Sequence, residues 1–155
     1  MLTQTRLREL FDYQEGSLVR KRTGKIVVCS ETKGQPYLRV LIDGKPHRLH
    51  RVIFLYQNGY LPKVIDHIDG NCLNNKIENL REVTQQQNCL NRKHHKNSDS
   101  PYKNVYWHIA AKKWAVVLSV KKQRKYFGTF DDIELADLVA TEARDLHHGL
   151  YARHF

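Results

Sequence analysis

The stretch Val64-Ile65-Asp66-His67-Ile68-Asp69-Gly70-Asn71 sets a carboxylate beside an imidazole at the end of a β-branched run. Asn74-Asn75, Glu78-Asn79-Leu80-Arg81 and Thr84-Gln85-Gln86-Gln87-Asn88 follow it. Hydrolysis of a phosphodiester needs an activated water, a counterion for the added charge and help for the leaving 3′ oxygen. A hard divalent cation such as Mg²⁺ takes oxygen ligands, few of them from protein, and water and phosphate complete its shell. The Asp66 carboxylate and the Asn88 amide oxygen suit that minimal set. An imidazole titrates near neutrality, so His67 can take a proton from water. A calcium loop fits poorly, because Ile68 and Gly70 occupy the third and fifth positions counted from Asp66. Cys72 has no context that supports a nucleophile paired with His67. Asp69, Asn71, Asn74 and Asn75 read as turn formers, and His94 and His95 as phosphate neighbours or plain linker.

Asp66 and Asn88 lie 22 positions apart, so only the fold can bring them together. The pattern supplies a strand ending at His67, a polar loop and a short strand near 81–83. Thr84 with Gln87 fits a capping box, which starts a helix there and puts Asn88 in its first turn. Upstream, the chain reads as short strands: Leu18 to Lys21, Ile26 to Cys29, Pro36 to Ile42 and Pro46 to His50. Asp43-Gly44 between the last two is a two-residue hairpin signal. Leu49, Val52, Ile53 and Tyr56 then take helical spacing, ending at Gly59 before Leu61-Pro62.

The chain has 155 residues, 41% hydrophobic and 27% charged, which suits one medium domain or two small globular ones. No apolar run approaches the roughly 20 residues of a membrane span, and MLTQTRLREL lacks the continuous apolar stretch of a signal peptide. A cytoplasmic location is expected. Cys29, Cys72 and Cys89 contain no C-x-x-C pair, so neither a disulfide framework nor a zinc site is expected.

The net charge of +10 is concentrated in one region. Residues 81–127 hold eleven Lys or Arg against Glu82 and Asp99. The next twenty reverse sign, with Asp131, Asp132, Glu134, Asp137, Glu142 and Asp145 against Arg144. Such segregation points to a polyanion partner.

VIDHIDGNCLNNKIENLREVTQQQNCLN resembles the HNH nuclease motif of phage and intron homing endonucleases, and HRLHRVIFLYQNGYLPK at 47–63 resembles what precedes it. The likeness covers roughly residues 35–92. It implies an α+β chain with a ββα-metal core at about 62–92, inside a nuclease domain of residues 1–92. It implies metal ligands at Asp66 and Asn88 and a general base at His67. Asn79 would be the middle asparagine, bracing the loop and the base. One Mg²⁺ or Mn²⁺ per active site is expected, and no zinc. The first His of the acronym corresponds to His67, not His50.

Lys93 to Tyr102 is polar and aperiodic, so residues 93–101 are assigned as a linker. Beyond it Asn104 to His108, Trp114 to Lys121 and Lys125 to Phe130 read as three strands. Asp131 or Asp132 caps a helix running to about His147. Along that helix Leu135, Leu138, Val139, Glu142 and Leu146 form one stripe, apolar apart from Glu142, making it an amphipathic backing for the strands. NVYWH at 104–108, KKWAVVL, KYFGTFDD and ELADLVATEARDLHHGLYA resemble the DNA-binding domain of plant ethylene-response factors. That implies a three-stranded antiparallel sheet on one helix at 102–155, whose sheet lies in the major groove of double-stranded DNA. By matched position the contacts would be Tyr106, His108, Lys113 and Lys122, with Lys112 and Arg124 nearby. Arg92, Lys93, Lys96 and Lys103, around the linker, join them as DNA-binding candidates. The plant pattern has arginines where this chain has Tyr106 and His108, so its sequence preference does not transfer.

The expected function is a sequence-directed, metal-dependent DNA endonuclease of the homing type, with no membrane and no obligate protein partner. The alternatives are an inactive DNA-binding regulator, against which the intact Asp66, His67, Asn79 and Asn88 speak, and an RNA-binding module, for which no signature is present.

Overall fold

The computed structural model describes residues 2–32, 35–91 and 99–152. It forms two compact units, Met1–Gln85 and Gln86–Phe155. The boundary falls inside the segment assigned by sequence to the nuclease domain, at the start of a helix.

The first unit opens with helix α1 (Gln4–Leu10), where the Thr3 hydroxyl accepts the Arg6 N–H at 3.2 Å as an N-cap. Sequence reading gave only strands here. Seven residues with Leu7 as the one buried position carry too little periodicity to announce a helix. The Gln4 side chain donates to the Tyr56 carbonyl at 2.9 Å, which ties α1 to α2 (Leu49–Asn58). Strands β1 (Phe11–Gln14) and β2 (Ser17–Arg20) form an antiparallel hairpin. The expected strand at Ile26 to Cys29 does not form. Ile26 makes one isolated bridge to Val19, and only Val27 turns inward while Ile26 and Val28 are 64% and 91% exposed. Two backbone bonds to β2 flank that bridge, Arg20 N–H to the Lys25 carbonyl at 2.9 Å and Val27 N–H to the Leu18 carbonyl at 2.8 Å, and the pairing does not extend into a ladder.

Strands β3 (Ser30–Thr32), β4 (Gln35–Ile42) and β5 (Lys45–Arg48) form an antiparallel sheet in that order. Asp43 and Gly44 both take positive φ, +46° and +74°, as a tight primed hairpin turn requires. Helix α2 follows and ends where Gly59 adopts the left-handed conformation, its N–H returning to Leu55. Its inward face, Leu49, Val52, Ile53 and Phe54, packs with Leu7, Phe11, Leu18, Val40, Ile42 and Leu80 into the core of this unit. Each such side chain contributes about 1.5–3 kcal/mol by leaving water. Strands β6 (Ile65–His67) and β7 (Leu80–Glu82) pair antiparallel, joined by a loop whose last turn is a short 3-10 segment, Ile77–Asn79.

Helix α3 (Gln85–Leu90) begins directly after Thr84, where the capping box placed it. The second unit then has strands β8 (Val105–His108), β9 (Lys113–Val120) and β10 (Gln123–Phe130), with β9 central, and helix α4 (Ile133–His148). Asp132 caps α4 by accepting the Glu134 and Leu135 N–H groups. The orientation of α4 corrects the sequence reading. Ala136, Ala140, Ala143 and Arg144 face inward, whereas Leu135, Leu138 and Leu146 are 49%, 59% and 79% exposed. Trp114, Phe127 and Phe130 fill the space under the helix from the sheet, so the helix meets it with its smallest side chains.

Candidate active site

The β6–β7 hairpin and its loop carry the proposed chemistry. Asp66 and His67 end β6 and are 6% and 5% exposed. Directly across the ladder, Asp66 pairs with Arg81. The Arg81 guanidinium donates Nε–H and Nη2–H to Asp66 Oδ2 at 2.9 and 2.8 Å. A carboxylate this buried needs such a partner, because an unpaired charge away from water is costly. Arg81, one of the eleven basic residues of the charged stretch, thus serves the hairpin itself.

The loop after His67 is held by its own side chains. Asp69 accepts the Asn71 N–H at 2.8 Å and amide protons of Asn74 and Asn79 at 2.7 and 2.9 Å. Burial raises the Asp69 pKa, but those three bonds and the nearby His67 outweigh it and hold the carboxyl below its ordinary value. Asn79 accepts the Asp69 N–H at 3.0 Å and donates to the Asn74 carbonyl at 2.8 Å. Its side-chain bonds run to the loop. Among the described residues, the loop side chain bonded to the imidazole is Asn75, 3% exposed, whose Oδ1 lies 3.2 Å from His67 Nε2.

Two further rings flank the base. His50, on α2, meets His67 edge-on with centroids 5.2 Å apart, and Tyr37, on β4, lies 5.0 Å from His50 and 6.2 Å from His67. Burial, then the charges of His67, Arg48 and Arg51, push the His50 pKa down to about 3. His50 is therefore a neutral imidazole at physiological pH. The Tyr37 hydroxyl is pushed up, chiefly by burial and then by Cys72 and Asp66. Arg51, one position after His50, donates to the Lys63 and Pro62 carbonyls at 3.3 and 3.2 Å, fixing the lead-in to β6. Helix α2 thus presents His50 and anchors the strand that presents His67.

Asn88, the other proposed ligand, is half-buried on α3, which lies in the second unit from Gln86 onward. The donor set of one carboxylate and one amide oxygen suits a hard cation and not zinc. Among the described residues no three His, Cys, Asp or Glu side chains are so placed that they could hold a metal ion together. No helix among them is long and apolar enough to cross a membrane.

In the second unit, Val105, Trp114, Val116, Leu118 and Val120 pack against α4. Alternation puts Tyr106, His108, Lys113, Arg124 and Tyr126 on the other side of the sheet. Tyr126 is 59% exposed there. Lys112 and Lys122 stand in exposed turns at φ +51° and +67°. Other candidates have local partners: Lys113 with Asp131 at 2.9 Å, His108 Nδ1 with the Ala111 N–H at 3.1 Å, Lys103 with the Leu90 carbonyl at 2.9 Å. Arg144, fully buried, bonds Thr141 and the Lys103 carbonyl and pairs with Asp137. Arg92, Lys93 and Lys96 lie outside the described residues.

His50, Asn75 and Arg81 were not among the expected site residues. A histidine beside Val52 and Ile53 on the inward face of a helix was a legible signal for the first. Asn75 looked like any turn asparagine, and the Arg81 role depends on hairpin register.

Residues 47–90 match the family model described as HNH endonuclease. The chain is similar to Protein 3.8 of Escherichia phage T7, 32% identical over 111 residues that cover 70% of this chain and 91% of that protein. Among solved structures it is similar to one described as DNA binding and cleavage by the HNH homing endonuclease I-HmuI. That match has 26% identity, a TM-score of 0.43, and covers 73% of this chain and 68% of that one. From the matched motif and the phage relative, the chain belongs to the HNH endonuclease family.

Proposed function

We propose that this chain is a divalent-metal-dependent endonuclease that hydrolyses phosphodiester bonds in double-stranded DNA. The observation that carries the reading is the buried Asp66–His67 pair at the end of β6, with the imidazole bonded from a loop that Asp69 and Asn79 brace. Asp66 and Asn88 are the proposed metal ligands. A bound Mg²⁺ or Mn²⁺, one per site, supplies Lewis acidity toward the scissile phosphate and its leaving oxygen. His67 takes the proton of the attacking water. Arg81 holds Asp66 Oδ2, so the carboxylate meets any cation in a fixed orientation. Asn79 keeps the loop shut around Asp69 so that His67 cannot swing away.

The nuclease domain is proposed as 1–92, followed by a linker at 93–101 and a DNA-anchoring domain at 102–155. That domain meets the duplex with the Tyr106, His108, Lys113, Arg124 and Tyr126 face of its sheet and the turn lysines Lys112 and Lys122. Lys103, Arg92, Lys93 and Lys96 are proposed to contribute phosphate contacts. Acids on α4 make the opposite side repel phosphate. The strand order β10-β9-β8 with one backing helix supports the ethylene-response-factor comparison. A homing role in the cytoplasm of a phage host, at one preferred genomic site, rests on the motif and on the phage relative.

Supercoiled clones of phage and host DNA incubated with the protein and Mg²⁺ test this. Nicking or linearisation that EDTA abolishes, leaving 5′ phosphate and 3′ hydroxyl ends, is expected. Tight, salt-sensitive binding with no cutting in Mg²⁺ or Mn²⁺ would establish a DNA-binding regulator instead.

A further inference from the structure

We propose that the N-terminal hairpin β1–β2 is a positioning element of the reaction centre: Tyr13 fixes the turn that carries Asn79, and Gly16 lets the hairpin tip seat against the loop at Asn75 and Lys76. This rests on the reading of the loop between β6 and β7 as the catalytic loop. It puts residues that serve the reaction outside the stretch 47–90 that matches the family model.

The turn Ile77–Asn79 cannot satisfy its own first N–H. Backbone N–H groups at the start of a helical turn have no partner within it. Lys76, at the N-cap, makes no side-chain bond there, and a lysine has no acceptor to offer. The Ile77 N–H goes instead to Tyr13 Oη at 3.0 Å, 64 positions back along the chain. Tyr13 pairs with Leu18 in the β1–β2 ladder, and its ring packs against the same core as Ile77. Two residues on, Asn79 accepts the Asp69 N–H at 3.0 Å and donates to Asp69 Oδ1 and the Asn74 carbonyl at 2.9 and 2.8 Å. One hydroxyl thus sets the start of the turn whose end closes the loop.

The hairpin tip makes the second contact. Glu15 and Gly16 form the two-residue turn between β1 and β2, at φ +40° and +87°, as a primed hairpin turn requires. A Cβ on Gly16 would lie 2.8 Å from Lys76 N and 3.0 Å from Asn75 C. Both are backbone atoms and cannot swing aside. Glycine is therefore required twice at this position, by the turn and by the loop. The ion pair of Lys76 with Glu15, 3.8 Å between side chains that are 54% and 89% exposed, adds little. The Tyr13 hydroxyl and the close backbone approach at Gly16 are what grip the loop.

Tyr13→Phe in the full chain tests this, since it keeps the ring in the core and removes only the acceptor. Backbone amide exchange by NMR, Tm, DNA affinity and Mg²⁺-dependent cutting at saturating DNA are read on the same protein. The Ile77 amide should exchange about five- to tenfold faster, the weight of one hydrogen bond. Cutting should slow by about 10–100-fold, as small misplacements at a reaction centre do, while DNA affinity stays at its wild-type value. Leu7→Val loosens the same core away from the loop, and should cut at the wild-type rate at a temperature where it is folded. Unchanged Ile77 exchange in Tyr13→Phe overturns the proposal, because the bond is then not made. Faster exchange with wild-type cutting also overturns it, leaving the contact a matter of folding alone. So does an equal loss of cutting in Leu7→Val. A wild type that cuts in neither Mg²⁺ nor Mn²⁺ is a different failure, that of the nuclease reading. It shows before any variant is compared and takes the positioning role with it.

Discussion

The β6–β7 hairpin and the β8–β10 sheet use their polar side chains in opposite ways. In the hairpin, polar side chains are tied to one another, the buried Asp66 to Arg81 and the buried His67 to Asn75, with the exposed Asp69 bonded to three neighbours beside them. In the sheet, lysines stand on exposed turns and the partnered cations are bonded near the surface, as Lys113 is to Asp131 at 2.9 Å. Buried networks hold atoms in place within fractions of an ångström and fail badly when one member is removed. Exposed cations act over a Debye length, add approximately, and tolerate loss. Chemistry on a phosphodiester needs the first property, and holding a duplex needs the second.

That contrast can be broken most sharply at Asp66. Asp66→Ala removes a proposed metal ligand and leaves a guanidinium that is 18% exposed without its carboxylate. Cutting should fall by more than the roughly 100-fold typical of an outer-shell partner, and stability by about 3–5 kcal/mol. Asp66→Asn should abolish cutting with a smaller loss in Tm, since its amide oxygen still accepts from Arg81. If Asp66→Ala keeps its cutting rate, the hairpin is not the reaction centre.

Acid should probe the buried His50 ring of the first unit. His50 binds a proton below about pH 6.5 when unfolded but only near pH 3 when folded. Between those values the unfolded state holds more protons, so folding stability declines as pH falls through the window and is whole above it. The contribution is about 1.4 kcal/mol per pH unit. Urea unfolding of the first unit, followed from pH 7 to 4.5, should show this slope, and His50→Phe should flatten it. An unchanged slope in the variant would mean that His50 is not the residue responsible.

Gly16→Ala probes the grip of the N-terminal hairpin. The added methyl meets Lys76 N and Asn75 C, and the φ of +87° disfavours any side chain. Cutting should drop by about 10–100-fold, while Gly24→Ala, where a Cβ meets nothing within 4 Å at φ +63°, should leave it near wild type.

The smallest expected effect lies in the other region. Lys121 and Lys122 form the β9–β10 turn at φ +49° and +67°, a left-handed pair that Asn-Gly fits better. Replacing them with Asn-Gly should raise stability by about 1 kcal/mol. With about five phosphates contacted, log K should fall against log salt with a slope near −4 to −5. The Asn-Gly variant should flatten that slope by about 1–2. A steeper slope, or none, would remove the turn from the DNA-contact surface.

Much of the scaffold was legible because single residues announced it. Gly59 ended α2, Asp43-Gly44 turned the hairpin, and Asp132 opened α4. What escaped depended on partners far along the chain. Leu135, Leu138 and Leu146 outweigh alanines in any periodicity, yet the bulk already supplied by Trp114, Phe127 and Phe130 turned Ala136, Ala140 and Ala143 inward. Ile26 to Cys29 had strand composition, yet its pairing with β2 stops at the single bridge between Val19 and Ile26. In the site, Asp66 and His67 were evident as an adjacent pair, whereas Asn75 differs from Asn71 and Asn74 only by where the loop carries it.

His67→Ala tests the division of labour most directly, measured for DNA affinity across salt and for cutting in Mg²⁺ on the same supercoiled substrate. The account predicts wild-type affinity and salt slope with cutting reduced by about 100–10,000-fold, the range of a general base. A His67→Ala protein of unchanged fold that cuts at the wild-type rate would contradict it.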